Sequence, residues 1–288
     1  MFTDRLSKKQ LAPVRKLPMT LLTYAVLLFL SFLFLFPFYI ILRNALGTRQ
    51  DITSYEWVWI PRPLQFHNFQ DVLDDPIANV SSGLKNSAII AVIQTAGQLF
   101  LASLAGYGLA RIPFRWHNLV FYFILATLMI PAAVTFIPTF LVIDALGWVS
   151  TYQGIIAPGL FSAFATVLFR QSFLDFPREL EDAGRVDGLG YWGIFRYIVV
   201  PNSRNIFCSL GIISFINSWN SFLWPLVVGQ DQSMWTIQVT MSTFITAQTI
   251  NLPGLFMTAT IAIFPIVALF FLLQRYLVKG ITFTGIKG

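Results

Sequence analysis

The sequence predicts an all-α membrane protein with six transmembrane helices, and its composition, its apolar windows and the placement of its basic residues lead to this fold class. Of 288 residues, 56% are hydrophobic and only 11% are charged, and the mean hydropathy is +0.69. A typical soluble domain carries about 25% charged residues. One protein core cannot hide so many apolar side chains, so lipid must solvate the remainder.

Six apolar windows are long enough to cross a bilayer. A spanning helix needs about 20 mainly apolar residues, because backbone amides in lipid must be bonded within the segment. The windows are 19–42, 86–110, 119–140, 154–173, 206–228 and 255–277. Arg170 and Arg275 are the charged residues inside these limits, and each lies near an end, where its side chain can reach the interface. The first window is too long for a signal peptide and is predicted to remain as an anchor.

Orientation follows from the positions of Lys and Arg, because basic residues are retained on the cytoplasmic side of a membrane. One side collects most of them: Arg5, Lys8, Lys9, Arg15, Lys16, Arg111, Arg115, Arg170, Arg178, Arg185, Arg196, Arg204, Arg275, Lys279 and Lys287. The other side has Arg43, Arg49, Arg62 and Lys85. Six crossings return the chain to its starting side. Both termini are therefore predicted to be cytoplasmic, and residues 1–288 to form one transmembrane domain.

Two segments on the outer side are long enough to carry function. Residues 43–85 include Trp57 and Trp59, which are typical of a membrane interface, although a loop of this length can also contact a partner. Residues 229–253 hold Asp231 and several Thr and Gln residues. That composition is polar enough to touch a soluble protein or a solute.

The cytoplasmic segment 177–201 is predicted to form two short helices. Pro177 opens the first, acidic residues occupy its first turns, and apolar residues recur every three positions at Leu180, Ala183 and Val186. Gly188 and Gly190 end it. A second apolar stripe follows at i, i+3, i+4 and i+7, and Pro201 is expected to end that helix. The residues of this stripe are Tyr191, Ile194, Phe195 and Ile198.

Two surfaces could cover these stripes: the inner face of the membrane, or a groove on another protein. The acidic residues of the first helix match an anionic leaflet poorly. A protein groove therefore explains the segment better.

A solute path requires polar groups at mid-membrane depth. Candidates are Gln94, Gln98, Asn217 and Asn220, with Trp219 and Trp224 able to stack on a sugar face. The competing interpretation is that these side chains bond between helices and never meet a solute. The sequence favours this second interpretation slightly for each residue taken singly.

Other functional classes lack their motifs. Cys208 is the only cysteine, so the chain can form no intrachain disulfide and has no pair of cysteines spaced to bind a metal ion. The basic residues lie beside apolar windows, and no nucleic-acid motif accompanies them. No stretch fits G-x-x-x-x-G-K-[ST], so the chain has no phosphate-binding loop of its own.

The cytoplasmic segment resembles the EAA loop of ABC importer permeases, E-A-A-x3-G-x9-I-x-L-P. The matching residues are Asp182-Ala183-Gly184, Gly188 and Ile198-Val199-Val200-Pro201. Asp182, Gly184 and Val200 depart from the pattern. Further stretches are similar, in order, to the smaller permease of the maltose and glycerol-3-phosphate importer type: GYGLARIPFR, PRELEDAGRVDG, SWNSFLWPLV and QRYLVKGITFTGIKG.

This resemblance implies a type I ABC importer transmembrane domain in the inner membrane of a prokaryotic cell. The implied partners are a second homologous permease, two copies of a cytoplasmic ABC ATPase, an extracytoplasmic solute-binding protein and membrane lipid. ATP and Mg would bind to the ATPase subunits, so this chain would hold no cofactor or metal and would not itself be an enzyme. The residues implied in ATPase coupling are Glu179, Leu180, Glu181, Asp182, Ala183, Gly184, Arg185, Val186, Asp187 and Gly188.

The implied function is alternating access for a sugar or a related polyol-phosphate solute, and residues 229–253 resemble the loop that reaches into the solute-binding protein. The alternative is an ion-coupled secondary transporter. Such transporters usually carry ionisable residues inside their spans, whereas no window here has one in its central part. The absence of a cluster of cations in the windows favours a neutral sugar over a phosphate.

Overall fold

A computed structural model describes residues 16–245 and 250–282 as helices and connecting segments, with one isolated bridge between Ile245 and Ile250. The basic residues at 5–15 and Lys287 lie outside this part. In chain order the α-helices are α1 (Lys16–Ala45), α2 (Arg49–Thr53), α3 (His67–Asp74), α4 (Val80–Arg111), α5 (His117–Thr127), α6 (Ala132–Ala145), α7 (Tyr152–Ile156), α8 (Ala163–Leu174), α9 (Arg178–Val186), α10 (Tyr191–Ile194), α11 (Val200–Asn202), α12 (Arg204–Trp219), α13 (Leu223–Val228), α14 (Ile237–Ser242) and α15 (Leu252–Thr282).

Three of the predicted windows are single helices that are long and apolar enough to span a membrane: α1, α4 and α15. Each extends beyond its window. The extension of α4 begins at Asn79, which adopts a left-handed backbone with φ of 46° and accepts a hydrogen bond from the amide of Ser82. That side-chain cap satisfies one of the amides that a helix start leaves unpaired.

The third and fourth windows, 119–140 and 154–173, are not continuous helices as predicted. A bend of 98° separates α5 from α6, and a bend of 41° separates 152–160 from α8. Pro131 precedes α6, and a proline disfavours helical backbone at the residue before it. At the second break the hydroxyl of Ser162 caps α8 by accepting from the amide of Ala165. If each bent pair is one span, the described residues contain up to six spans.

The fifth window, 206–228, is broken as well. Helix α12 ends at Trp219, and α13 begins at Leu223. Pro225 lies in the first turn of α13, where its missing amide costs no intrahelical hydrogen bond. The apolar window did not reveal this break, because hydropathy is insensitive to where backbone hydrogen bonds stop.

Helix α4 is the centre of the bundle and packs against α8, α12 and α14, while α1 packs against α15. The approach of α4 to α8 is closest at Gly106, where an added Cβ would lie 2.7 Å from Cβ of Phe169. Around this contact lies a group of buried side chains that we name the Phe169 cluster. Its members are Ala102, Tyr107, Ala165, Phe169, Phe173, Ile194, Phe195, Val199 and Leu210.

The close contact at Gly106 predicts that adding one methyl group at this position destabilises the folded protein. Gly106→Ala should destabilise the protein by about 1–3 kcal/mol, because the new Cβ meets backbone and cannot be relieved by rotating a side chain. Gly108→Ala is the matched control, since a Cβ there meets nothing within 4 Å. Thermal unfolding in detergent, followed by tryptophan fluorescence, measures both. Equal melting temperatures for the two variants would contradict this account of the contact.

Candidate functional site

The first predicted short helix of segment 177–201 is confirmed as α9. Pro177 stands at its start, and the turn after it uses Gly188, whose φ is +84°. The amide of Leu189 donates to the carbonyl of Gly184 at 2.9 Å and closes the turn. A left-handed backbone of this kind is the usual helix stop, and glycine adopts it without a Cβ penalty.

The second short helix runs further than predicted. A π-helical turn at Phe195–Val199 connects α10 to α11, so the helical backbone continues through Pro201 to Asn202. In the π turn the amide of Val200 donates to the carbonyl of Phe195, five residues back. Helical backbone accommodates proline where local π adjustments rearrange the bonding that its ring disrupts. The chain then bends by 78° into α12.

The two apolar stripes have different surroundings. The second is largely covered by this chain, since Ile194 and Phe195 are only 1% and 4% exposed and belong to the Phe169 cluster. The first faces outward, with Leu180 44% exposed and Val186 88% exposed. The expectation that both stripes need an external surface is therefore wrong for the second. Eight of the ten residues implied in coupling are exposed: Glu179, Leu180, Asp182, Ala183, Arg185, Val186, Asp187 and Gly188.

The buried face of α9 contains the other two residues, Glu181 and Gly184. A Cβ on Gly184 would overlap Cδ1 of Ile198 and approach Ile194 to 3.4 Å. The glycine that departs from the EAA pattern thus lets α9 lie directly against the following helical segment. Sequence reasoning identified the departure but could not see the contact, because it joins residues in two different helices.

Glu181 forms an ion pair with Arg111, the last residue of α4, with 2.9 Å between Oε1 and Nε. Both side chains are nearly inaccessible, at 3% and 4% exposed. Burial raises the pKa of Glu181, and the nearby charges of Arg111 and Arg185 oppose that rise. The sequence placed Arg111 and Glu181 on the same side of the membrane but gave no sign that they pair.

A cavity of about 470 Å³ opens beside this ion pair. Charged and aromatic side chains line it from α9, from the end of α4 and from the starts of α5 and α10, among them Arg111, His117, Arg178, Glu181, Arg185 and Tyr191. Within residues 16–245 and 250–282, no three His, Cys, Asp or Glu side chains are arranged to hold a metal ion.

The predicted path residues on α4 and α12 have mixed surroundings. Oε1 of Gln94 accepts a hydrogen bond from Ser218 at 2.9 Å, so this glutamine joins the two helices. Gln98 is partly buried, whereas Asn217 and Asn220 are exposed. Asn220 lies just beyond α12, where its Oδ1 accepts a hydrogen bond from Gln238 at 3.3 Å.

The two predicted stacking tryptophans differ from each other. Trp219 is 2% exposed, its indole nitrogen donates to the carbonyl of Ala262 at 3.0 Å, and its ring stacks on Phe215. One face of its ring thus packs on α12, and its indole nitrogen is bonded to α15. Trp224 packs edge-on against Phe136 with 5.4 Å between ring centroids, and this contact joins the half-helices α13 and α6.

A buried amide on α4 anchors the start of segment 229–253, a contact that the sequence did not predict. Nδ2 of Asn86 donates to the carbonyls of Ser233 at 2.7 Å and Trp235 at 2.9 Å. Its Oδ1 accepts from the hydroxyl of Tyr152 at 2.6 Å. The start of this loop is therefore attached to α4, while residues 246–249 of the loop lie outside the described part.

Comparisons with known proteins agree with one another. A sequence profile described as "Binding-protein-dependent transport system inner membrane component" matches residues 79–283, well over half of the chain. The chain is 31% identical to the arabinooligosaccharides transport system permease protein AraQ of Bacillus subtilis, over 90% of this chain and 92% of that protein. It is 34% identical to the lactose transport system permease protein LacG of Rhizobium radiobacter, over 92% and 96%.

A third relative is the sn-glycerol-3-phosphate transport system permease protein UgpE of Yersinia enterocolitica, 32% identical over 86% of this chain and 91% of that protein. Among solved structures, a bacterial ABC transporter involved in the import of the acidic polysaccharide alginate matches with a TM-score of 0.79. That match covers 96% of this chain and all of the matched chain at 20% identity, so it concerns the fold.

The turn at Gly188 generates a prediction about the stability of α9. Gly188→Val should cost about 1–2 kcal/mol locally, because a β-branched residue resists the left-handed backbone, and this corresponds to roughly tenfold faster amide exchange. Gly190→Ala is the control, since Gly190 has an extended backbone with φ of -78° and open space around it. Hydrogen–deuterium exchange over residues 178–189 measures both. Unchanged exchange in Gly188→Val would contradict the assigned role of this glycine.

Proposed function

Because the chain belongs to the family of binding-protein-dependent transport system inner membrane components, we propose that it is the permease subunit of an ATP-driven ABC importer. It is a multi-pass inner-membrane protein with the fold of such permeases. With a second permease it forms the path for a sugar or a related polyol phosphate. The observation that carries this proposal is the outward-facing apolar stripe of α9 at the end of a membrane bundle.

The composition of α9 supports docking to a protein rather than to lipid. The helix carries Glu179 and Asp182 on exposed positions beside Leu180 and Val186. An anionic cytoplasmic leaflet would repel these acids, whereas a groove on another protein can match apolar and acidic positions together. The occupant of the groove is α9, and the partner is a cytoplasmic ABC ATPase present in two copies.

The mechanism follows from what α9 is attached to. It follows α8 along the chain, contacts the end of α4 through Glu181, and leads through the π turn into α12. Closure of the two ATPase subunits moves α9, and these attachments pass the movement to helices that line the path. The result is alternating access between outward-open and inward-open states.

The same proposal assigns a separate role to each subunit. ATP and Mg bind to the ATPase subunits, and this chain is not an enzyme. An extracytoplasmic solute-binding protein delivers the solute to the side that carries residues 229–253. Both termini are cytoplasmic in this arrangement, because α9 and the end of α4 lie at the cytoplasmic face.

The path residues we propose are Gln94, Gln98, Asn217 and Asn220, with Trp224 at the junction of two half-helices. Trp219 supports the path from behind, since it is buried, stacks on Phe215 of α12 and donates a hydrogen bond to Ala262 of α15. The named relatives transport arabinooligosaccharides, lactose and sn-glycerol-3-phosphate. Arg170 and Arg275 lie near the ends of their helices, so a neutral sugar fits the path better than a phosphate.

Reconstitution tests the proposal as a whole. The complete complex in proteoliposomes should take up solute only when ATP and the solute-binding protein are present, and the purified chain alone should hydrolyse no ATP. An ion gradient without ATP should drive no uptake. Gradient-driven uptake by the chain alone would overturn the proposal and establish an ion-coupled secondary transporter.

The exposed face of α9 gives a sharper test. Ala183→Asp should weaken copurification of the ATPase at least tenfold, because it places an unpaired charge in the docked surface. Ala145→Asp introduces the same side chain at an exposed position outside α9, at the end of α6, and should leave copurification unchanged. Equal ATPase recovery from both variants would show that α9 is not the docking surface.

A further inference from the structure

The ion pair between Arg111 and Glu181 joins two elements that are distant in sequence. Arg111 ends α4, the longest described helix, and Glu181 lies in the middle of α9. Arg111 also donates from Nη2 to the carbonyl of Phe176, just before α9 begins. One guanidinium therefore holds both the entry to α9 and its buried face.

We propose that Arg111 and Glu181 are a positioning pair that makes α9 move with α4 when the ATPase moves α9. This inference rests on the proposed function and deepens it. The pair does not form the docking surface, because both side chains are buried beneath α9 while the apolar stripe faces outward. Its role is to transmit motion from α9 to the centre of the bundle.

The other attachments of α9 explain why such a pair is needed. Gly184 contacts Ile194 and Ile198, so that contact joins α9 to the segment that leads into α12. Leu189 in the turn after Gly188 packs against the Phe169 cluster, so the turn also attaches α9 to the segment that follows it. Without the Arg111 contact, α9 would be attached through its neighbours in sequence, α8 before it and the segment that leads into α12 after it. The pair adds an independent attachment to α4.

The energetics of the Arg111–Glu181 ion pair indicate that it fixes the position of α9 rather than adding to the stability of the fold. A buried ion pair often contributes little net stability, because desolvation of both charges offsets their attraction. Burial is the largest influence on the pKa of Glu181, and it raises that pKa despite the adjacent Arg111. A costly pair that joins a moving helix to a span is more simply explained by a requirement for a fixed geometry.

A second cation near Glu181 determines how the test must be designed. Nη2 of Arg185 lies 3.9 Å from Oε2 of Glu181, and this arginine also contacts Asp182 at 2.7 Å. When Arg111 is replaced, Arg185 can still neutralise Glu181. Helix α9 then keeps its charge balance but loses its attachment to α4. Replacing Arg111 therefore tests the positioning of α9 without leaving Glu181 uncompensated.

The experiment uses the whole complex and compares Arg111→Met and Glu181→Gln with the wild type. ATPase copurification should stay within twofold of the wild type, and ATP hydrolysis should persist. Solute uptake per ATP hydrolysed should fall at least tenfold. Arg115→Met is the matched control, because Arg115 is exposed and stacks on Trp116, and its uptake per ATP should be unchanged.

Charge reversal gives an independent readout. The double variant Arg111→Glu with Glu181→Arg should recover at least threefold in uptake per ATP over either single reversal. A purely structural role would change the yield of complex, not the ratio of uptake to hydrolysis. Wild-type ratios in both Arg111→Met and Glu181→Gln would overturn the inference while leaving the proposed function intact.

Two further outcomes keep the inference separable from the proposed function. If the wild-type chain recovers no ATPase, the proposed function itself fails. If neither neutral variant reaches the membrane, Glu181→Asp is measured, which keeps the charge but shortens the side chain by one methylene. A loss of uptake per ATP in Glu181→Asp supports the positioning pair, and a wild-type ratio overturns it.

Discussion

The close approach of α4 and α8 at Gly106 is the contact on which the remaining structure depends. Lipid provides no hydrophobic force between helices, so small residues that permit tight packing set their separation. The Phe169 cluster surrounds this contact, and α10 and the π turn rest on the cluster. The position of α9 at the end of the bundle is therefore determined by span-to-span packing, not by the stability of a short surface loop.

Helix α9 reverses the usual arrangement of a surface helix. Its buried face carries a carboxylate and a glycine, and its exposed face carries Leu180 and Val186. A monomeric soluble protein would arrange these residues the other way round. The reversal is consistent with a helix whose exposed apolar residues are covered by another subunit. The buried Glu181 attaches the helix to its own chain through Arg111.

The fold class followed from composition and apolar windows, and the short helix α9 followed from its proline, its acids and its glycine stop. The helix breaks did not follow, because hydropathy is the same whether a window is straight or bent at Pro131. The pairing of Arg111 with Glu181 was hidden for a different reason: both are ordinary charged residues of a face that is predicted to be cytoplasmic, and their contact depends on how α4 meets α9. The same limit applies to Trp219, whose packing against α15 is a property of two distant segments.

The outward apolar face of α9 has a consequence for how a cell must make this chain. Val186 is 88% exposed, and no residue in the most apolar window of α1 is buried within the chain. Lipid can cover α1, but on an unassembled copy Leu180 and Val186 of α9 would remain exposed, and chaperones and proteases recognise exposed apolar side chains. Synthesis in proportion to the partner subunits would protect such a chain, so its abundance would follow that of the assembled complex rather than its own rate of translation.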